Sequence, residues 1–164
     1  MKFSTRTTLF LLLTLLQIGS NITILASTSL HLFTDTSPKV CLVGLSVINK
    51  VNPIMFCELL YITAGLGIGI NIIIYVFQEI DHLITNSFKG LLITLLASLY
   101  AASAAVVTYA SHNDDDLNMP QSEWKTAVWA LIWVNLGLTL MMSAVSTAFS
   151  EKKVRTEILS NVLA

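Results

Sequence analysis

Residues 53–77, PIMFCELLYITAGLGIGINIIIYVF, form one apolar block in which Glu58 is the single charged side chain and Gly65, Gly67 and Gly69 alternate along the chain. A run of about 20 apolar residues is enough to cross the roughly 30 Å hydrocarbon core of a bilayer as a helix. An ionisable side chain inside such a run is uncommon and raises a functional question wherever it occurs.

The rest of the 164-residue chain has the same character. It is 54% hydrophobic and only 12% charged, against about 25% charged residues in an average soluble domain. Windows of about 19 residues place further apolar blocks at residues 8–30, 90–110 and 126–149. The polar stretches between them are too short to build a separate aqueous core. In hydrocarbon every backbone N–H and C=O needs a partner within the protein, which leaves helices or a closed barrel. Continuous apolar runs without strand-like alternation select helices. The expected fold is therefore all-α: a polytopic membrane protein with a bundle of four transmembrane helices and a short tail, residues 150–164.

Charge sets an orientation. Lys2, Arg6, Lys89, Lys152, Lys153 and Arg155 fall on one side of the four blocks, and Lys39, Lys50 and Lys125 on the other. The excess of basic residues predicts that both termini are cytoplasmic, in a plasma or secretory-pathway membrane. Trp124 and Trp129 fit the outer interface, with Tyr75, Phe77 and Phe149 near inner ends. A second reading concerns the first block, since MKFSTR, TLFLLLTLL and QIGSNITILAS follow the order of a cleaved leader. Retention is preferred because the apolar character runs on to Leu32. The sequon Asn21-Ile22-Thr23 separates the two, being modifiable only near a new N-terminus.

With a net charge of −1, no basic patch invites nucleic acid. The triplet Gly65-x-Gly67-x-Gly69 lacks the strand-then-helix context of a nucleotide loop and reads better as helix packing. Ala97, Ala101 and Ala105 repeat at spacing four in the third block and offer a matching surface. Thr14, Gln17 and Asn21 share one face of the first block; Asn135, Thr139 and Ser143 share one face of the fourth. Interhelical hydrogen bonds among such residues average about 0.6 kcal/mol; the competing reading is a polar transport path. Glu58 lies on the order of 7 Å below Pro53. It reads first as an interhelical hydrogen-bonding group toward Tyr61, Asn21 or a nearby hydroxyl, and second as a site of ion or substrate chemistry.

In the outer loop, residues 31–52, the apolar stretch from Val40 to Ile48 reads as a strand or a segment lying on the leaflet. Cys41 and Cys57 read first as small apolar residues, with a disulfide in an oxidising compartment as the alternative. Ile80, Leu83, Ile84 and Phe88 have helical spacing and predict that the second helix continues past the inner surface. In the tail, Val154, Ile158, Leu159, Val162 and Leu163 suit an interfacial helix or a partner's groove, with a frayed end as the alternative. Asp114, Asp116 and Asn118 begin like a calcium loop, but Met119 stands where the turn glycine belongs and Lys125 where the bidentate Glu belongs. His31 and His112 have no metal-binding spacing. With no nucleophile elbow, phosphate loop or paired catalytic carboxylates, the chain is expected to be non-enzymatic, without cofactor or metal.

Residues 88–149 resemble the MARVEL family of four-span membrane proteins. FKGLLITLLASLYAASAAVVTYASHN is an alanine-rich third span leading into a turn, and AVWALIWVNLGLTLMMSAVSTAF is a tryptophan-bearing fourth span ending in small residues. The resemblance implies a scaffold for membrane microdomains, trafficking vesicles or junctions, with lipids, other integral membrane proteins or further copies of itself as partners. Claudin-like proteins share the topology, but their first loop carries tryptophans and a close cysteine pair. Rotary-ATPase proteolipids carry an essential carboxyl near mid-membrane, whereas Glu58 is near an end; they stand behind the alternative of an ion- or solute-translocating subunit.

Overall fold

The computed structural model describes residues 5–34, 40–43, 52, 54–77, 83–114 and 122–163. Four helices dominate: α1 (Thr5–Ser27), α2 (Ile54–Val76), α3 (Leu83–Asp114) and α4 (Ser122–Leu163). Each contains a stretch long and apolar enough to cross a membrane: Thr8–Leu32, Ile54–Val76, Ser87–Ala110 and Glu123–Thr147. This is the all-α four-helix architecture of a multi-pass membrane protein. The helices pack as a closed ring, α1 on α2, α2 on α3, α3 on α4 and α4 back on α1.

Local chemistry explains where the elements begin and end. Asn52 caps α2: its Oδ1 accepts the Ile54 amide at 3.1 Å and its carbonyl accepts the Met55 amide at 3.1 Å, satisfying donors that have no partner in the first turn. At the same end of the bundle, α1 widens into a π-helical turn, Thr28–Leu32, closed by the Phe33 amide donating to the Thr28 carbonyl. Phe33 then turns extended, and β1 (Phe33–Thr34) pairs antiparallel with β2 (Val40–Cys41), Phe33 opposite Cys41. The expected outer-loop strand is thus a two-residue ribbon; residues 44–51 lie outside the described residues.

Two expectations change. α2 ends at Val76 rather than continuing past the membrane, and Leu83, Ile84 and Phe88 belong to the start of α3. Phe77 and Phe88 pack edge to face across that corner, ring centroids 5.6 Å apart. The tail is a continuation of α4, whose 42 residues extend about 63 Å at 1.5 Å per residue, roughly twice a bilayer core. The calcium-like residues beyond Asp114 and both Ile80 and Lys125's loop partners at 115–121 fall outside the described residues, save that Lys125 itself sits buried in α4.

The interior has three levels. Toward the β-ribbon an apolar cluster gathers Ile24, Leu32, Phe56, Leu60, Val107 and Ile132. Toward the opposite end a second gathers Phe10, Ile70, Ile74, Leu96 and Met142. Between them lies a band of buried polar side chains.

Candidate functional site

The central band is built by helical periodicity. Gln17 and Asn21 are one turn apart on α1, as are Asn135 and Thr139 on α4, so each pair projects from one face. All four are fully buried. Gln17 Nε2 donates to the Asn135 carbonyl at 3.0 Å and to Thr139 Oγ1 at 2.5 Å. Thr139 Oγ1 in turn donates to the Asn135 carbonyl at 2.8 Å. Asn135 Nδ2 donates to Asn21 Oδ1 at 3.1 Å, and Asn21 Nδ2 donates to the Tyr100 hydroxyl at 2.6 Å. This chain of bonds ties α4 to α1 and then crosses the bundle to α3. Its directions are mutually consistent, since each amide nitrogen faces an oxygen.

Gly67 makes the crossing fit. A Cβ built on it would lie 2.7 Å from Asn21 Nδ2 and would overlap the Tyr100 hydroxyl. The absent side chain of Gly67 is the space in which the Asn21–Tyr100 bond sits. Asn71, one turn along α2, donates from Nδ2 to the Gly67 carbonyl at 2.8 Å, and Thr63 shares a hydroxyl bond with Ser103 of α3 at 2.6 Å. Gln17 Oε1, Asn71 Oδ1 and Asn135 Oδ1 are buried and accept no hydrogen bond from the protein.

Of the glycine and alanine residues singled out from sequence, Gly67 takes part in the inner contact and its neighbours Gly65 and Gly69 do not. Gly65 and Gly69 are exposed, with nothing within 4 Å of an added Cβ. Ala101 and Ala105 are also exposed and Ala97 is half-buried. At 100° per residue, Gly65 and Gly69 each point about 200° from Gly67. The α2–α3 contact is instead made by Thr63, Gly67 and the Tyr100, Ser103, Val107 face. Ser143 is half-buried beyond Thr139, and its carbonyl accepts Thr147 Oγ1 at 3.2 Å. Thr14 bonds within its own helix, to the Phe10 carbonyl at 2.8 Å.

Glu58 is corrected as well. It is exposed on the outer face of α2 and has no hydrogen-bond partner among the described residues. Tyr61, the expected partner, lies 3.1 Å from Ser29 Oγ, and Asn21 is engaged with Tyr100 and Asn135. Glu58 is nine residues from Gly67, half a revolution, so it points away from the polar band.

At the ribbon end, Cys41 and Cys57 are joined by a disulfide. The buried Cys57 lies in the first turn of α2, and the bond fastens the ribbon to that helix. His31 stacks on Trp124, ring centroids 3.8 Å apart and nearly parallel, joining the π-turn to the start of α4. Trp129 and Trp133 both donate to Thr108 Oγ1, at 2.8 and 3.3 Å. No group of three metal-ligating side chains occurs among the described residues.

Sequence reasoning missed Tyr100, Thr63, Ser103 and Asn71. A signal existed: Thr63, Gly67 and Asn71 repeat at spacing four, a small and polar row that marks the inner face of an otherwise uniformly apolar helix. No protein-family model, characterised protein or solved structure matches the chain.

Proposed function

We propose that this protein is a non-enzymatic integral membrane scaffold or accessory subunit that organises lipids or a larger membrane complex by lateral association. Both termini lie on the cytoplasmic side and the disulfide-bonded ribbon on the exoplasmic side. The observation that carries the reading is the use of the interior: its polar side chains bond neighbouring helices across a centre closed at Gly67, rather than lining a passage. The geometry also weighs against ion translocation through Glu58, because that carboxylate and the polar band are on opposite faces of α2. Compartment chemistry supports the orientation, since a disulfide persists where the surroundings are oxidising. α1 supplies Gln17 and Asn21 to the band, which supports its retention as the first span.

Gly65 and Gly69 face outward, so their small surface is available to a helix of another molecule. Purification in a mild detergent followed by native mass measurement tests the proposal. A fixed oligomer or a stoichiometric companion is expected. Gly65→Ile with Gly69→Ile is expected to release monomer with unchanged thermal unfolding. A wild-type protein that is monomeric throughout, or Glu58-dependent ion flux in proteoliposomes that Glu58→Gln abolishes, would overturn it.

A further inference from the structure

An apolar groove of about 350 Å³ runs between α2 and α3 near the Asn52 end, lined by Met55, Phe56, Glu58, Leu59, Ile62 and Val106. Met55, Ile62 and Val106 are exposed, and the bundle leaves the groove open. Its one charged group is the Glu58 carboxylate. α2 has 23 residues, about 34 Å against a core of roughly 30 Å, so Glu58, four residues from its start, falls about 4 Å inside the hydrocarbon edge. A carboxylate facing lipid at that depth is costly without a cation or water to meet it. Among the described residues none provides the cation: Lys89 is at the other end of the bundle, and Lys125 is buried and already partnered.

Shape limits what can bring one. From Met55 to Ile62 the groove is about 10 Å long, the length of roughly eight methylene groups, whereas a helix with its side chains is itself about 10 Å across. A single acyl chain matches the groove. A neighbouring chain gains little from apolar contact alone, because bulk lipid offers the same contact. Selection must therefore come from the headgroup, and a primary ammonium can both neutralise Glu58 and donate hydrogen bonds to it.

We propose that this groove binds an amine-headed phospholipid of the leaflet on the ribbon side, one acyl chain lying along Met55, Ile62 and Val106 and the ammonium donating to Glu58. The inference deepens the function proposed above by naming the lipid chemistry; it rests on α2 spanning the bilayer, not on the oligomeric state. Full-length protein in mixed micelles of phosphatidylethanolamine, phosphatidylcholine and phosphatidylglycerol with identical acyl chains is the test, with native mass spectrometry reading the retained lipid. Phosphatidylethanolamine is expected to exceed each of the others about threefold, the scale of an exposed ion pair. Glu58→Gln is expected to bring the three to parity, and Ile62→Trp, which fills the groove from outside, to lower retention with thermal unfolding unchanged. Equal retention of all three lipids by the wild type, or a preference that survives Glu58→Gln, would overturn the site. So would a photo-crosslinker at position 62 that captures only a protein helix. Lipid preference lost in an intact oligomer overturns this inference alone, while preference kept by a monomer overturns only the assembly.

Discussion

At Gly67 one missing methyl group decides whether two side chains from diagonal helices can meet. Gly67→Ala places a Cβ against Asn21 Nδ2 and the Tyr100 hydroxyl, and overpacking of this kind costs about 1–3 kcal/mol. Gly65→Ala and Gly69→Ala meet open space and are expected to stay within about 0.5 kcal/mol of wild type, or to gain slightly from removal of a helical glycine. Thermal unfolding in detergent checks both; a Gly67→Ala protein as stable as the wild type would refute the crowding. Asn21→Leu strands the Asn135 amide and the Tyr100 hydroxyl, at about 1–3 kcal/mol for unsatisfied buried groups. A double-mutant cycle with Asn135→Leu is expected to show positive coupling, since the two share a bond. These residues also mark how far the sequence was legible. Gln17, Asn21, Asn135 and Thr139 were readable because a polar residue inside an apolar span turns away from lipid. Gly65 and Gly69 were misread because GxxxG fixes spacing without fixing which way the helix is turned. Glu58 broke the inward rule by lying close enough to the helix end to face outward.

Among the elements, each apolar block read from the sequence coincides to within a few residues with the apolar stretch of one helix. Corners were harder. The spacing of Leu83, Ile84 and Phe88 was rightly helical, but periodicity does not say to which helix a turn belongs, and they begin α3. The π-turn at Thr28–Leu32 left no compositional trace. Its Thr28 and Leu32 are buried, and its role is positional, turning His31 onto Trp124. Asn52, which caps the start of α2, was not singled out from the sequence. Asn52→Ala removes the side-chain acceptor for the Ile54 amide and is expected to cost about 1 kcal/mol. Because Asn52 is exposed, no packing loss adds to this. Asn52→Asp, which keeps an acceptor, should restore most of the stability in the same unfolding measurement, and equal losses for Ala and Asp would exclude capping as the cause.

For the molecule as a whole, the polar band holds the middle of the ring together and the disulfide holds one end, and the two are separable. Cys41 and Cys57 are 16 residues apart; closing a loop of that size restricts the unfolded chain by about 3 kcal/mol in the chain-entropy model. Reductant is therefore expected to lower the unfolding temperature of the wild type. Cys57→Ser should start from the lower temperature and show no further response. The band lies in the interior away from the ribbon, so the destabilisation of Asn21→Leu should be nearly the same in oxidised and reduced protein, as expected for sites without shared partners. A reductant effect within about 0.5 kcal/mol would mean that the ribbon end is held by its apolar packing and the His31–Trp124 stack alone. Orientation is tested at the same end of the bundle. In intact cells, a membrane-impermeant thiol reagent should label Asn52→Cys, an exposed position, in a protein whose Cys41 and Cys57 are both replaced by Ser, if the ribbon faces outward. Labelling that requires permeabilised membranes would instead put the ribbon on the cytoplasmic side or in an internal compartment, and a compartment-resolved repeat on sealed vesicles of known sidedness would tell which.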